Sequence, residues 1–144
     1  MTLYDYSKLN IHNTSPLEEG AGGIWDISLA GYSEFVISGG DIHRLTIGSY
    51  AIAQISGGWI GQIYSSQNAT YTKHIEIICR PGYAYNSTTG YLTGLWGDGS
   101  TFSIRLDNPS GTSATIDNIK FTIIPEPATM LLLAVGGILL RRKS

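Results

Sequence analysis

A repeat of 18 residues constrains this chain more than any other feature. Gly22, Gly40 and Gly58 are spaced by 18, and so are Ile24, Ile42 and Ile60, and Ile27, Leu45 and Ile63. Two of the units agree further: Tyr32 matches Tyr50, and Ile37-Ser38-Gly39-Gly40 matches Ile55-Ser56-Gly57-Gly58. A period near twenty is architecture, because each unit must stack on its neighbours to bury an apolar face it cannot bury alone. Eighteen residues fall well short of the roughly 34 that a two-helix repeat takes. They suffice for one rung of a parallel β-solenoid. Ile dominates the apolar positions and Tyr recurs, no proline occurs between Leu17 and Arg80, and the Gly-Gly pairs stand where the chain must turn with positive φ. In such rungs equivalent residues lie about 4.8 Å apart. Ile24, Ile42 and Ile60 then form an internal ladder, with Gly22, Gly40 and Gly58 turning each rung at the same corner. A meander of antiparallel hairpins with evenly spaced turns is the alternative that spacing leaves open.

The repeat is imperfect at both ends. Lys8-Leu9-Asn10-Ile11 resembles Glu34-Phe35-Val36-Ile37, but residues 13–20 intervene before the next Gly-Gly pair and read as a surface loop inserted at a corner. Beyond Ile63 only Ile78 keeps the spacing, and residues 71–79 read as a last strand covering the edge. From Pro81 the pattern changes. Residues 91–96 and 101–106 flank Gly97-Asp98-Gly99-Ser100 as a hairpin, with Phe102, Ile104 and Leu106 alternating toward one face. Ile119, Phe121 and Ile123 alternate again. The expected fold class is therefore all-β: a short parallel β-solenoid of about three 18-residue rungs over residues 1–82, then a small antiparallel sheet of hairpins over 83–124, then a tail over 125–144.

That tail has an order of its own. Pro125-Glu126-Pro127 leads into an apolar run over 128–140, and Arg141-Arg142-Lys143 follow one residue before Ser144. The run is apolar all round, contains Gly136-Gly137, and has no polar face to turn to water, which reads as a C-terminal transmembrane helix rather than a buried one. Thirteen residues make about 20 Å of helix at 1.5 Å per residue, against roughly 30 Å of hydrocarbon, so it is short for a permanent anchor. Basic residues favour the cytoplasmic side, which puts residues 1–124 across the membrane. The tail resembles the PEP-CTERM sorting signal of Gram-negative bacteria, on Pro125, Glu126, Pro127, Ala128, Thr129, Met130, the run through Leu140, and Arg141, Arg142 and Lys143. The resemblance implies an exosortase partner that reads Pro125, Glu126 and Pro127 and cuts near them, and an association with exopolysaccharide. Glu126 is then part of a signal, not a catalytic carboxylate. The segment 92–99 and the Gly-rich repeats are similar to those of repeat proteins carrying the same signal.

The start does not match an exported protein, since the first eight residues have neither a basic region nor an apolar one of the kind a secretory signal needs. The reading frame is expected to continue upstream into a signal peptide.

Composition excludes several classes. Charged residues are 14% of the chain and the net charge is −2, so no basic field exists to hold nucleic acid. The one cysteine, Cys79, permits no internal disulfide, and its apolar neighbourhood reads as a small buried hydrophobe. His12, His43 and His74 fall in different units without metal-ligand spacing, and no cofactor is implied. Asp98 and Asp107-Asn108 are turn chemistry. Asp26, Asp41 and Glu34 are the acids from which a glycosidase pair would have to come. Trp25, Trp59 and Trp96 could offer rings for stacking on sugars, but burial in the core is the stronger reading for each. The expected function is that of an exported, non-enzymatic cell-envelope or extracellular-matrix protein. The alternative is the remnant of a β-solenoid polysaccharide lyase or glycosidase, for which fold analogy is the sole support.

Overall fold

The computed structural model describes residues 1–12, 23–48, 50–66, 73–108 and 114–125. The fold is all-β, with a single short 3₁₀ turn at Thr115–Asn118 among the described residues. Among the described residues the strands are β1 (Thr2–Leu3), β2 (Lys8–Ile11), β3 (Ile24–Leu29), β4 (Glu34–Ile47), β5 (Ile52–Ser65), β6 (Ile75–Cys79), β7 (Ala84–Asn86), β8 (Tyr91–Leu95), β9 (Thr101–Asp107) and β10 (Ile119–Ile123).

Pairing follows the sequence repeat. β3, β4 and β5 are parallel neighbours, with Ile24 opposite Ile42 and Ile42 opposite Ile60, and with Ile27, Leu45 and Ile63 likewise aligned. The long strands β4 and β5 are each bent in two places, where the in-out alternation of side chains breaks: at Gly40-Asp41 and His43-Arg44 in β4, and at Gly58-Trp59 and Gly61-Gln62 in β5. At the first bend Gly40 and Gly58 take φ of +84° and +86°, a conformation costly for any residue with a Cβ. The register also slips there, between Ile37 and Asp41. Their sequence counterpart Gly22 lies outside the described residues.

The bends divide the pairing into two sets. β2 joins residues 34–37 of β4, residues 53–55 of β5 carry β6, and β6 carries β10. On the other side β1 joins β3, and β9 joins residues 62–64 of β5. All of these pairings are parallel. The match of residues 8–11 to 34–37 is realised pair by pair, from Lys8 opposite Glu34 to Ile11 opposite Ile37. That offset is 26 rather than 18, and the difference is the length of the segment 13–20.

Three expectations are corrected. Ile78 does not continue the ladder: β6 aligns with β5 at an offset of 22, Ala53 opposite Ile75, and Ile78 lies opposite Thr122 on the outward side. β6 is not the last strand either, because β10 pairs along its whole length from Ile119–Ile75 to Ile123–Cys79. The antiparallel sheet expected over 83–124 is confined to β7, β8 and β9, since β9 and β10 return to pair parallel with β5 and β6. Strands with open backbone groups are sticky, and pairing with a distant segment satisfies them as well as a local hairpin does.

The core runs between the two sets as one cluster. Ile27, Leu45 and Ile63 fill it from one side, Phe35, Ile37, Ile55, Ile75 and Ile77 from the other, and Ile104, Leu106 and Ile119 close it. Each fully buried Ile contributes about 1.5–3 kcal/mol relative to exposure. The ion pairs are on the surface, such as Lys8 with Glu34 at 2.9 Å, and such pairs are worth about 0–1 kcal/mol each. Burial therefore holds the fold. In β10, Ile119 is buried and Phe121 stacks on Tyr83 at 3.8 Å, but Ile123, expected inside, is exposed.

Candidate functional site

The second bend puts two consecutive residues of each strand outward, and the 18-residue register lines them up. Trp25, His43 and Gly61 occupy the first outward position, and Asp26, Arg44 and Gln62 the second. The Trp25 and His43 rings stack with centroids 4.0 Å apart and planes 5° from parallel. Beside them Arg44 donates to both carboxylate oxygens of Asp26, from Nε at 2.6 Å and from Nη2 at 3.0 Å.

Two residues before Gly61, Trp59 extends the aromatic face differently. A Cβ at Gly61 would stand 3.0 Å from the Trp59 ring, so the indole lies over the space that this glycine leaves open. Its ring is 6.3 Å from His43 and tilted by 52°, out of the stack. Asp41 sits opposite Trp59 in the register, and on its other side is Gly23, whose added Cβ would come within 3.3 Å of the Asp41 Cβ.

Beyond Trp59 lies a cleft of about 230 Å³, bounded by Phe102 and by the side chains of Ser100, Thr101 and Ser103. Buried Trp96 backs it, its indole N–H donating to the Gly58 carbonyl at 3.0 Å and its ring tilted against Phe102. Among the described residues no ionisable group lines this cleft. The three tryptophans therefore part company: Trp96 is 2% exposed, whereas Trp25 at 69% and Trp59 at 53% are surface residues. Core burial, the stronger reading for each, holds for Trp96 alone.

A second ladder runs along the turns. Tyr6, Tyr32 and Tyr50 stack at 5.4 and 5.0 Å, nearly parallel. Sequence comparison found Tyr32 and Tyr50; Tyr6 was hidden because it precedes Tyr32 by 26 residues, the same offset that separates Lys8 from Glu34. Gly23 and Gly61 escape the sequence reading, and His43, read only as lacking metal-ligand spacing, has a stacking role there, although Trp25, His43 and Gly61 share the 18-residue spacing that would show it.

The remaining expected site residues scatter. Asp26 is held by Arg44 and Glu34 by Lys8. His12 Nδ1 lies 3.0 Å from the Ser38 hydroxyl. His74 has a buried Nε2 without a partner, and burial lowers its pKa. Glu76 accepts from Thr122 at 2.5 Å and Gln54 at 2.9 Å, which with Lys120 nearby hold its carboxyl below the ordinary value. Cys79 is buried, and burial pushes its thiol up. Asp98 caps its own turn, accepting from the Ser100 N–H and hydroxyl. Among the described residues no group of three His, Cys, Asp or Glu side chains could hold a metal.

At the end of β10 the Ile124 N–H donates to the Cys79 carbonyl at 2.9 Å, and Pro125 follows at the surface. Against known protein families, the stretch that begins at this docked residue matches the model described as the PEP-CTERM protein-sorting motif, over residues 124–143. Residues 124–143 are a PEP-CTERM sorting signal. The signal marks an exported protein that exosortase sorts, passing through the membrane to the cell envelope or extracellular space. No curated protein and no solved structure matches the chain. Of the signal residues, Pro125 is described; Glu126, Pro127, Arg141, Arg142 and Lys143 lie outside the described residues, as does the transmembrane helix expected over 128–140. Among the described residues no helix is long and apolar enough to cross a membrane.

Proposed function

We propose that this is a non-enzymatic envelope or extracellular-matrix protein whose body is a short parallel β-solenoid and whose PEP-CTERM signal delivers it into an exopolysaccharide layer. The observation that carries the reading is the signal itself, running on from the last core strand. Parallel pairing at the 18-residue register, with apolar ladders inside and glycines at a shared corner, supports the solenoid. The engagement of Asp26 by Arg44 and of Glu34 by Lys8 supports a structural rather than a catalytic use of these acids. In this reading residues 128–140 form a short transmembrane helix, Arg141, Arg142 and Lys143 stay on the cytoplasmic side, and exosortase cuts near Pro125-Glu126-Pro127.

The test is the mature C-terminus. Mass spectrometry of the protein from an exosortase-bearing host should find chains lacking the tail, and a Pro125→Ala/Glu126→Ala variant should accumulate with it. An intact Ser144 on the parent protein in that host would remove the processing claim.

A further inference from the structure

We propose that the outward face at the first bend is a binding site for a neutral polysaccharide, with one pyranose ring seated on Trp59 and its hydroxyls met by Asp41 and the Ser100–Ser103 edge. The site deepens the matrix reading above and rests on it for where such a polymer would be met.

A pyranose is amphipathic: an apolar face of C–H groups and a rim of hydroxyls. The first needs an open aromatic face, and exposed aromatic residues on this protein do not supply it equally. Trp25 and His43 each cover one face of the other at 4.0 Å. Trp59 is turned out of that stack by 52° and lies over Gly61; although it is less exposed than Trp25, it is the indole that borders the hydroxyl-bearing cleft. Indoles on a surface cost solvation that burial would recover, and a position that keeps one exposed while a glycine makes room for it is arranged for contact.

The hydroxyl rim finds partners on both flanks. Asp41, opposite Trp59 on the neighbouring strand, makes no hydrogen bond or ion pair with another described residue, so its carboxylate is available to accept from vicinal hydroxyls. Across the cleft, Thr101 and Ser103 offer hydroxyls that both donate and accept, while the Ser100 hydroxyl, which donates to Asp98, is left to accept. With no ionisable group lining the cleft and the Asp41 carboxylate on the other flank of Trp59, a uronate or sulfated polymer finds no cation to pair with and meets a like charge, which selects a neutral glycan. At about 230 Å³ the cleft is smaller than the roughly 300–1,000 Å³ of pockets that engulf drug-sized ligands. It takes one ring of a chain lying across the surface.

The experiment is affinity electrophoresis of the full chain in mild detergent, through gels containing hydroxyethyl cellulose, laminarin, galactomannan, dextran or polygalacturonate. Retardation by at least one neutral polymer and none by polygalacturonate is expected. Trp59→Ala should weaken that retardation about tenfold or more, as truncation of an aromatic anchor does, and Asp41→Asn should weaken it less. Thr101→Glu, which leaves the indole in place and puts a charge at the rim, should also abolish it, so the outcome does not hang on Trp59→Ala folding. Passage of all four neutral gels without retardation, or retardation that survives both Trp59→Ala and Thr101→Glu, would overturn the proposal. An intact Ser144 in the host would overturn the processing claim and leave this result untouched.

Discussion

The indole of Trp25 and the imidazole of His43 lie face to face, 4.0 Å apart, because 18 residues separate them and 18 is the register of β3 against β4. The ion pair of Asp26 with Arg44 spans the same two strands one residue further on. Surface and interior contacts at this point of the sheet can therefore be compared directly.

Arg44 and Ile42 are two positions apart on β4, one outward and one buried. Arg44→Ala should cost no more than about 1 kcal/mol, the worth of an exposed ion pair. Ile42→Ala should cost about 2–5 kcal/mol, since it removes a methylene-rich side chain from a ladder and leaves a cavity. Urea denaturation of the two variants gives the comparison; equal losses would mean that surface pairing, not burial, carries the stack.

The bend glycines separate two kinds of strain. Gly58 and Gly82 both have positive φ, but a Cβ at Gly58 would meet the Gly40 carbonyl oxygen at 2.6 Å, while one at Gly82 meets nothing within 4 Å. Gly82→Ala should cost about 1–2 kcal/mol from backbone conformation alone. Gly58→Ala adds an overlap with the neighbouring strand's backbone and should be clearly worse. Thermal midpoints of the pair report the difference, and matching values would show that the strands are free to move apart.

Glu76 ties three strands of the first set, accepting from Thr122 on β10 and Gln54 on β5. These bonds lower its pKa below the ordinary value of 4.5, so the folded state binds its proton less readily than the unfolded chain. The stabilisation is full well above pH 4.5 and is lost as pH falls through the lower folded value. Glu76→Gln should therefore be less stable than the parent at pH 7, and the gap should narrow as the pH falls below 4.5. A gap independent of pH would assign the loss to geometry instead of charge.

Cys79 is wholly buried with a raised thiol pKa, so little thiolate forms and none of it reaches solvent. The native protein should leave an aromatic disulfide reagent unreacted over the time in which the urea-unfolded chain reacts fully. Rapid labelling of the native protein would mean that β6 opens readily.

What the sequence disclosed was set by distance along the chain. Ile24, Ile42 and Ile60 announced the stacking of β3, β4 and β5 because equal spacing is what stacked residues leave behind. The pairing of Arg105 with Gln62, and of Ile119 with Ile75, left no such trace, since the β7–β8 hairpin lies inside those turns of the chain and lengthens the interval. Ile78 kept the spacing by coincidence once the offset had changed to 22. The outward face was half legible: its tryptophans were noticed as sugar-stacking residues, but burial was weighed as the stronger use. Hydrophobicity alone cannot tell an indole that points inward from one laid over Gly61. The sorting signal was the plainest reading of all, being local and contiguous.

Ile124 is still hydrogen-bonded to Cys79 when the signal begins, with no spacer between strand and motif. Any grip on the tail is thus transmitted lengthwise into β10, where five residue pairs with β6 bear the load together in shear, instead of parting one by one as a peeled hairpin would. A pull along the axis of β10 is thus resisted by the whole strand pair and not by its last residue alone.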